Sequence, residues 1–261
     1  MQIPSGKKIY FLSDFHLGAP NHVESLEREK RIVQFLDEIK TDAAEIFIIG
    51  DMFDFWYEYR KVVPKGYTRI LGKLGQLTDA GISIYFFVGN HDMWMSGYFE
   101  EELNIPVFHE PKLFERNGKK FYIGHGDGLG PGDRGYKFIK KIFRNKFCQW
   151  FFGVLPPAIG VGLADYFSRK SRAVTGQIDE QFLGEEKEWL IIYSKEVLQK
   201  EHFDYFIFGH RHLAIDFSLQ NGSRYINLGD WIRYCSYAVF DGETLSLKSW
   251  LNEMESKIIK K

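Results

Sequence analysis

Five short polar clusters, each set directly after an apolar run, constrain this chain more than any other feature of its sequence. Asp14 and His16 follow Ile9-Tyr-Phe-Leu in Ser-Asp-Phe-His-Leu-Gly, and Asp51 and Asp54 follow Ile46-Phe-Ile-Ile in Gly-Asp-Met-Phe-Asp. Asn90, His91 and Asp92 follow the run from Ile82 to Val88 in Gly-Asn-His-Asp. His125 and Asp127 follow Phe121-Tyr-Ile in Gly-His-Gly-Asp-Gly, and His210 and His212 follow Tyr205-Phe-Ile-Phe in Gly-His-Arg-His. The apolar runs have the length and continuity of strands buried on both faces. The polar groups therefore fall at strand ends, where open α/β sheets bind their ligands. Asp14 to Asp51 is 37 residues, Asp51 to Asn90 is 39 and His91 to His125 is 34, each about one βαβ step of ~30 or more residues. One such Asp or His reads as a loop cap. Five clusters in register predict one shared site along one edge of one sheet.

The intervening segments agree with that reading. Val23 to Ile39 is amphipathic, with Leu26, Ile32, Phe35, Leu36 and Ile39 on one side, and Ile70 to Leu77 forms part of a second helix. After Pro106 the pattern changes: Asn117-Gly118, Asn221-Gly222 and Asp241-Gly242 are hairpin-turn dipeptides beside short apolar runs. They predict a mostly antiparallel final third. A length of 261 residues fits one large domain, or one domain with an insertion.

The residue types select the chemistry. Neutral imidazoles, carboxylates and an amide oxygen suit borderline divalent ions such as Mn²⁺, Fe²⁺ or Zn²⁺. They are too oxygen-poor for Ca²⁺ and include no thiolate. Their number exceeds what one tetrahedral ion takes and suits two ions sharing a carboxylate. Two ions ~3.5–4 Å apart can clamp the oxygens of a phosphoryl transfer.

The ordered motifs DxH, GDxxD, GNHD, GH (Gly124-His125) and GHxH resemble the calcineurin-like metallophosphoesterases, over Lys8 to about Leu247. The resemblance implies an α/β fold, a four-layer sandwich of mixed sheets flanked by helices. It also implies that Asp14, His16, Asp51 and His212 hold one metal, while Asp51, Asn90, His125 and His210 hold the other. His91 then contacts the phosphate or protonates the leaving group, steadied by Asp92. Asp54 is open between a supporting role and a loop cap.

The gap from His125 to His210 is 85 residues, longer than the others by roughly one further supersecondary unit. Within it, residues 134–172 carry nine basic side chains against Asp165 alone, a local charge of +8, with nine aromatics. The chain as a whole carries −1, so its neutrality conceals a basic segment. Tyr136 to Phe147 reads as one helix with an apolar and a basic face, able to lie on an anionic membrane or to cap an amphiphilic substrate. A helix packed on the main domain with a solvated charged face is the plainer alternative, and a nucleic-acid surface is disfavoured. The expected organisation is a core of residues 1–128 and 203–251, a helical lid insertion of 129–202 and a polar tail of 252–261 that frays or forms a short surface helix.

Here the resemblance narrows. Gly50-Asp-Met-Phe-Asp-Phe-Trp, the run His125-Gly-Asp-Gly-Leu-Gly-Pro-Gly-Asp-Arg-Gly-Tyr and Leu228-Gly-Asp-Trp are similar to the UDP-2,3-diacylglucosamine pyrophosphohydrolases of lipid A synthesis. That likeness implies two Mn²⁺ ions and attack of metal-bound hydroxide on the α-phosphorus, releasing UMP and 2,3-diacylglucosamine 1-phosphate. It implies a lipid-linked nucleotide sugar as substrate, acyl chains held between core and lid, and a cytoplasmic protein peripheral on the inner membrane. Asp133, Arg169, Lys170 and Arg172 are then candidate substrate contacts. Many members of that family carry Arg where this chain has His91. A soluble nucleotide or phosphoprotein phosphoesterase, or a non-catalytic scaffold, remain the rival readings. Cys148 and Cys235 form no CxxC pair and read as free thiols in a reducing compartment. Neither a signal peptide nor a membrane span is expected, because the longest weakly polar run, Trp150 to Ala164, is short and contains Pro156-Pro157.

Overall fold

The apolar runs become strands whose alternate residues enter two different cores. The computed structural model describes the backbone of residues 1–131, 134–175 and 181–261, without side chains at 134–136, 138–139, 165, 167 and 169–175. The first half alternates β1 (Lys8–Leu12), α1 (His22–Ile39), β2 (Ala43–Ile49), α2 (Thr68–Asp79), β3 (Ser83–Phe87), α3 (Tyr98–Leu103) and β4 (Val107–Phe108). A hairpin of β5 (Lys112–Arg116) and β6 (Lys119–Ile123) leads into three helices, α4 (Arg134–Phe143), α5 (Lys146–Val154) and α6 (Pro157–Thr175). Then follow α7 (Trp189–Leu198), β7 (Tyr205–Phe208), β8 (Ala214–Ser218), β9 (Arg224–Leu228), β10 (Ser236–Phe240), β11 (Leu245–Ser249) and β12 (Ile259–Lys260).

Two six-stranded mixed sheets result, in the orders β11-β10-β1-β2-β3-β4 and β12-β8-β9-β7-β6-β5. Strand alternation sorts the side chains, because successive residues point to opposite faces. Ile9, Phe11, Phe47 and Ile49 pack between the sheets with Phe121, Ile123 and Ile207, whereas Tyr10, Leu12, Ile46 and Ile48 pack outward with Ile32, Phe35, Ile70 and Leu74 of α1 and α2. On the far side, Phe206 and Phe208 pack on Leu190 and Ile191 of α7. The layers are helix, sheet, sheet, helix. Phe11 stacks on Phe47 at 5.1 Å and on Phe121 at 5.9 Å between ring centroids, so part of the aromatic content joins one sheet to the other.

Local chemistry sets the element ends. Asn21 caps α1 by accepting from the Glu24 N–H at 3.1 Å. No side chain of its own caps α2. The buried Glu29 of α1 accepts from the N–H groups of Arg69 and Ile70 at 3.0 Å each, fixing the two helices together through a charge placed at a helix N-terminus.

Several sequence expectations are corrected. The antiparallel pairs expected late in the chain do form at the turns 117–118, 221–222 and 241–242, but β6, β7 and β9 run parallel to one another, so the second sheet is mixed. The helix expected over Tyr136 to Phe147 breaks, because Asn145 accepts from the N–H groups of Phe147 and Cys148 and starts α5 there. α7 falls inside the expected insertion of 129–202, yet its Leu190 and Ile191 are fully buried against the second sheet, so it packs as a core layer. The polar tail forms a short 3₁₀ helix and then β12, which adds a parallel edge strand beside β8.

Candidate active site

The ligand-type residues do converge, though not on one sheet. Asp14 and His16 leave β1, Asp51 leaves β2, and Asn90 and His91 lie beyond β3, all in the first sheet; His125 leaves β6, and His210 and His212 follow β7, in the second. Single-sheet spacing could not reveal this, because the β4–β5 connection passes the chain to the second sheet without changing the motif interval. Backbone strain marks the same positions. Asp14, His16, Asp51, His210 and His212 have φ of 56°, 44°, 52°, 71° and 46°, a left-handed conformation that costs a non-glycine residue about 1–2 kcal/mol. Five of the seven expected ligands adopt it, which turns each side chain sharply off its strand end. Gly89 approaches so closely that a Cβ there would overlap the Asp51 carboxylate.

The donor atoms face one another. Asp51 Oδ2 lies 3.3 Å from His125 Nε2 and 3.7 Å from His16 Nε2, between two histidines of different sheets. Asp14 Oδ1 lies 3.3 Å from His212 Nε2 and 3.7 Å from His16 Nε2, while the two imidazole nitrogens are 3.0 Å apart. Asn90 Oδ1 lies 2.9 Å from His210 Nδ1 and 3.3 Å from His125 Nε2. His125 Nδ1 donates to the Ile49 carbonyl at 2.8 Å, leaving Nε2 as the ligand atom. Two clusters, Asp14–His16–His212 and Asp51–His125–His210, each offer donors within 4.8 Å of one another. Carboxylates, imidazoles and an amide oxygen, with no thiolate, are a donor set that could hold divalent ions. A third such cluster contains His91 with His16 and Asp51.

The protein alone is electrostatically tense here. Burial acts to raise Asp14 and Asp51, but their histidine partners outweigh it and hold both carboxyls well below the usual range. Burial acts to lower His125, yet the Asp51 carboxylate outweighs it and pushes the imidazole up to about 10. Burial brings His91 and His210 down to about 4. The raised His125 reports the carboxylate charge beside it, and its proton is one that a cation could replace.

Asp92 does not steady His91. Its two oxygens accept from the Gly89 and Met52 N–H groups at 2.7 and 2.8 Å, tying the Gly-Asn-His-Asp loop to the Gly-Asp-Met-Phe-Asp loop, and burial with nearby Asp51 pushes it up to about 7. The residue behind His91 is Asp54. Its carbonyl accepts from His91 Nδ1 at 2.9 Å, and its Oδ1 stands 3.8 Å from both His91 Nδ1 and His16 Nδ1. Asp133 and the side chains of Arg169, Lys170 and Arg172 lie outside the described residues.

Two further residues support the ligand positions. Asp127 is buried and pairs with Lys140 of α4, which also donates to the Asp127 carbonyl at 2.9 Å, anchoring the insertion beside His125. Arg211, between the two histidines of Gly-His-Arg-His, is fully buried against Glu188, with two N–H···O bonds of 3.0 Å. Its guanidinium also lies 4.6 Å from the Trp189 ring centroid. Removing one partner strands a buried charge. Glu188→Ala is therefore expected to lower unfolding free energy by about 3–5 kcal/mol in urea titrations and to weaken metal binding through His210 and His212. Unchanged stability would show that the pair is solvated.

Two mixed sheets that gather carboxylates and imidazoles able to hold metal at their strand ends are the arrangement of a metallophosphoesterase, and the chain belongs to the calcineurin-like phosphoesterase family, whose profile matches residues 7–214. That membership places it among phosphoester hydrolases and implies divalent metal ions at this site. More particularly, it is 42% identical over 260 residues to the UDP-2,3-diacylglucosamine hydrolase of Porphyromonas gingivalis, covering 95% of this chain and 99% of that one. Enzymes of the same name from Histophilus somni and Shewanella baltica are 28% and 26% identical, over 86% and 92% of this chain and 92% and 95% of theirs.

Proposed function

We propose that the protein hydrolyses the diphosphate of UDP-2,3-diacylglucosamine, giving UMP and 2,3-diacylglucosamine 1-phosphate. The observation that carries this reading is the insertion. It is fastened beside a dimetal donor set while keeping much of its apolar surface outside the core. Phe147, Trp150 and Phe151 of α5 are 70%, 63% and 60% exposed, and Lys141, Arg144 and Lys146 are exposed near them. A soluble nucleotide needs no such surface; an acylated one does. The 42% identical relative bears the name of this activity.

Asp14, His16, Asp51 and His212 would hold one ion and Asp51, Asn90, His125 and His210 the other, with Mn²⁺ the ion we favour. Bound there, two divalent ions supply positive charge against the phosphoryl oxygens and a nucleophile at neutral pH. The protein supplies the rest. His91 faces the phosphoryl group or the leaving oxygen, with its Nδ1–H held by the Asp54 carbonyl so that Nε2 is the atom presented. Basic residues of the insertion, Arg169, Lys170 and Arg172 among them, offset the diphosphate charge, and Asp133 helps to position the nucleotide. Its aromatics take the acyl chains or the surface of the cytoplasmic membrane leaflet. Among the described residues no helix is long and apolar enough to cross a membrane.

Mass spectrometry of the products made with Mn²⁺ in ¹⁸O-water tests the reading. Attack at the α-phosphorus places the new oxygen on UMP. Label on the lipid phosphate would reject that attack, and absence of cleavage would reject the substrate.

A further inference from the structure

One polar contact of the insertion reaches the active site without touching a metal-ligand side chain. Ser168, on α6, donates from Oγ to Asp54 Oδ2 at 3.0 Å, and the same Oγ lies 3.4 Å from His91 Nδ1. Asp54 in turn accepts the His91 Nδ1–H on its carbonyl at 2.9 Å. A carbonyl only accepts, so Nδ1 carries the proton and Nε2 faces the reacting groups. The ring therefore has a backbone acceptor that fixes its tautomer. The hydroxyl joins that acceptor's own residue to a helix more than 100 positions away in sequence, between 54 and 168.

We propose that Ser168 is a positioning residue, setting the His91 imidazole through Asp54 when α6 is seated on the core. Seating of the insertion and orientation of the histidine thereby become one event. Two other hydrogen bonds that fasten the insertion lie away from His91. Tyr57 Oη donates to the Gln149 carbonyl at 2.8 Å, and Trp94 Nε1 to the Phe143 carbonyl at 2.6 Å. Neither reaches a group at the site. Losing the Ser168 hydroxyl leaves Asp54 Oδ2 without this donor, so the carboxylate and the ring behind it gain freedom. Partners of this kind are worth about 10–100-fold in activity at metal sites.

The inference rests on the role given to His91 above, and its test separates the two. Ser168→Ala is expected to lower kcat about tenfold with KM nearly unchanged, and Ser168→Thr, which keeps the hydroxyl, to restore it. In a His91→Ala background the Ser168→Ala change should add less than about twofold, since coupled residues are not additive. The ¹⁵N signals of the His91 ring, read without substrate in protein loaded with diamagnetic Zn²⁺, should move in Ser168→Ala and return in Ser168→Thr. A raised KM at constant kcat, multiplicative losses in the double variant, or an unmoved His91 ring would each overturn the proposal. Full activity of His91→Ala would instead remove the role assigned to that histidine, and the ring signals would still decide whether Ser168 orients it.

Discussion

Replacing Asp51 by alanine is expected to lower turnover of UDP-2,3-diacylglucosamine by about 10⁴-fold or more, a barrier increase of roughly 5.5 kcal/mol. The carboxylate stands between His16 of the first sheet and His125 of the second, so its loss removes a donor from both ion positions at once. Metal content per chain should fall together with activity. The fold should survive. Asp51 is a buried charge whose neighbourhood includes buried Asp14 and Asp92, and its presence is one reason Asp92 is raised. Removing it lifts repulsion on Asp92 but takes from His125 the carboxylate that holds its imidazole up to about 10, so thermal unfolding without metal should come moderately earlier. Asp54→Asn is the comparison, since it alters the support of His91 and should keep both ions. An Asp51→Ala protein that retained two ions and normal turnover would dismiss the shared-carboxylate arrangement.

Removing both acyl chains from the substrate is expected to lower kcat/KM by about 10³-fold or more. Each CH₂ taken out of water contributes ~0.8 kcal/mol, so eight of them amount to about 6 kcal/mol. The insertion supplies the apolar surface this requires in Phe147, Trp150, Phe151, Ile159 and Leu163, all exposed in the protein alone. Because the chains lie far from the reacting phosphorus, shortening them one by one should produce a graded series. Equal kcat/KM for the acylated and deacylated compounds would assign the enzyme to soluble nucleotides and leave the apolar surface to an interface between proteins.

What the sequence disclosed depended on the range of the interactions involved. The seven candidate ligands were legible because each lies within a few residues of a strand end, and strand, glycine turn and polar residue are all local signals. The hairpins at 117–118 and 241–242 were legible for the same reason. Which sheet a strand joins is a long-range choice: β6, β7 and β9 pair in parallel across intervening helices and loops, and no dipeptide announces that. α7 falls within the long interval between His125 and His210, and its burial against Phe206 and Phe208 is a tertiary fact that no local signal carries. Adjacency in sequence points to Asp92 as the support of His91. In a tight loop adjacent side chains diverge, and the support came from Asp54, 37 positions earlier, and Ser168, 77 later.

The insertion leaves the core after β6 and the chain returns through α7 to β7, and these two strands are direct neighbours with Ile123 opposite Ile207. Its two ends are therefore pinned at almost the same place. Residues can be added, lost or refolded between them without shifting His125 or His210, because the ladder holding those histidines closes beneath the excursion. The architecture separates two kinds of evolutionary change. The candidate metal ligands are inherited with the sheets, while the choice of molecule presented to them, together with the Ser168 contact behind His91, can be rewritten in one contiguous stretch of chain.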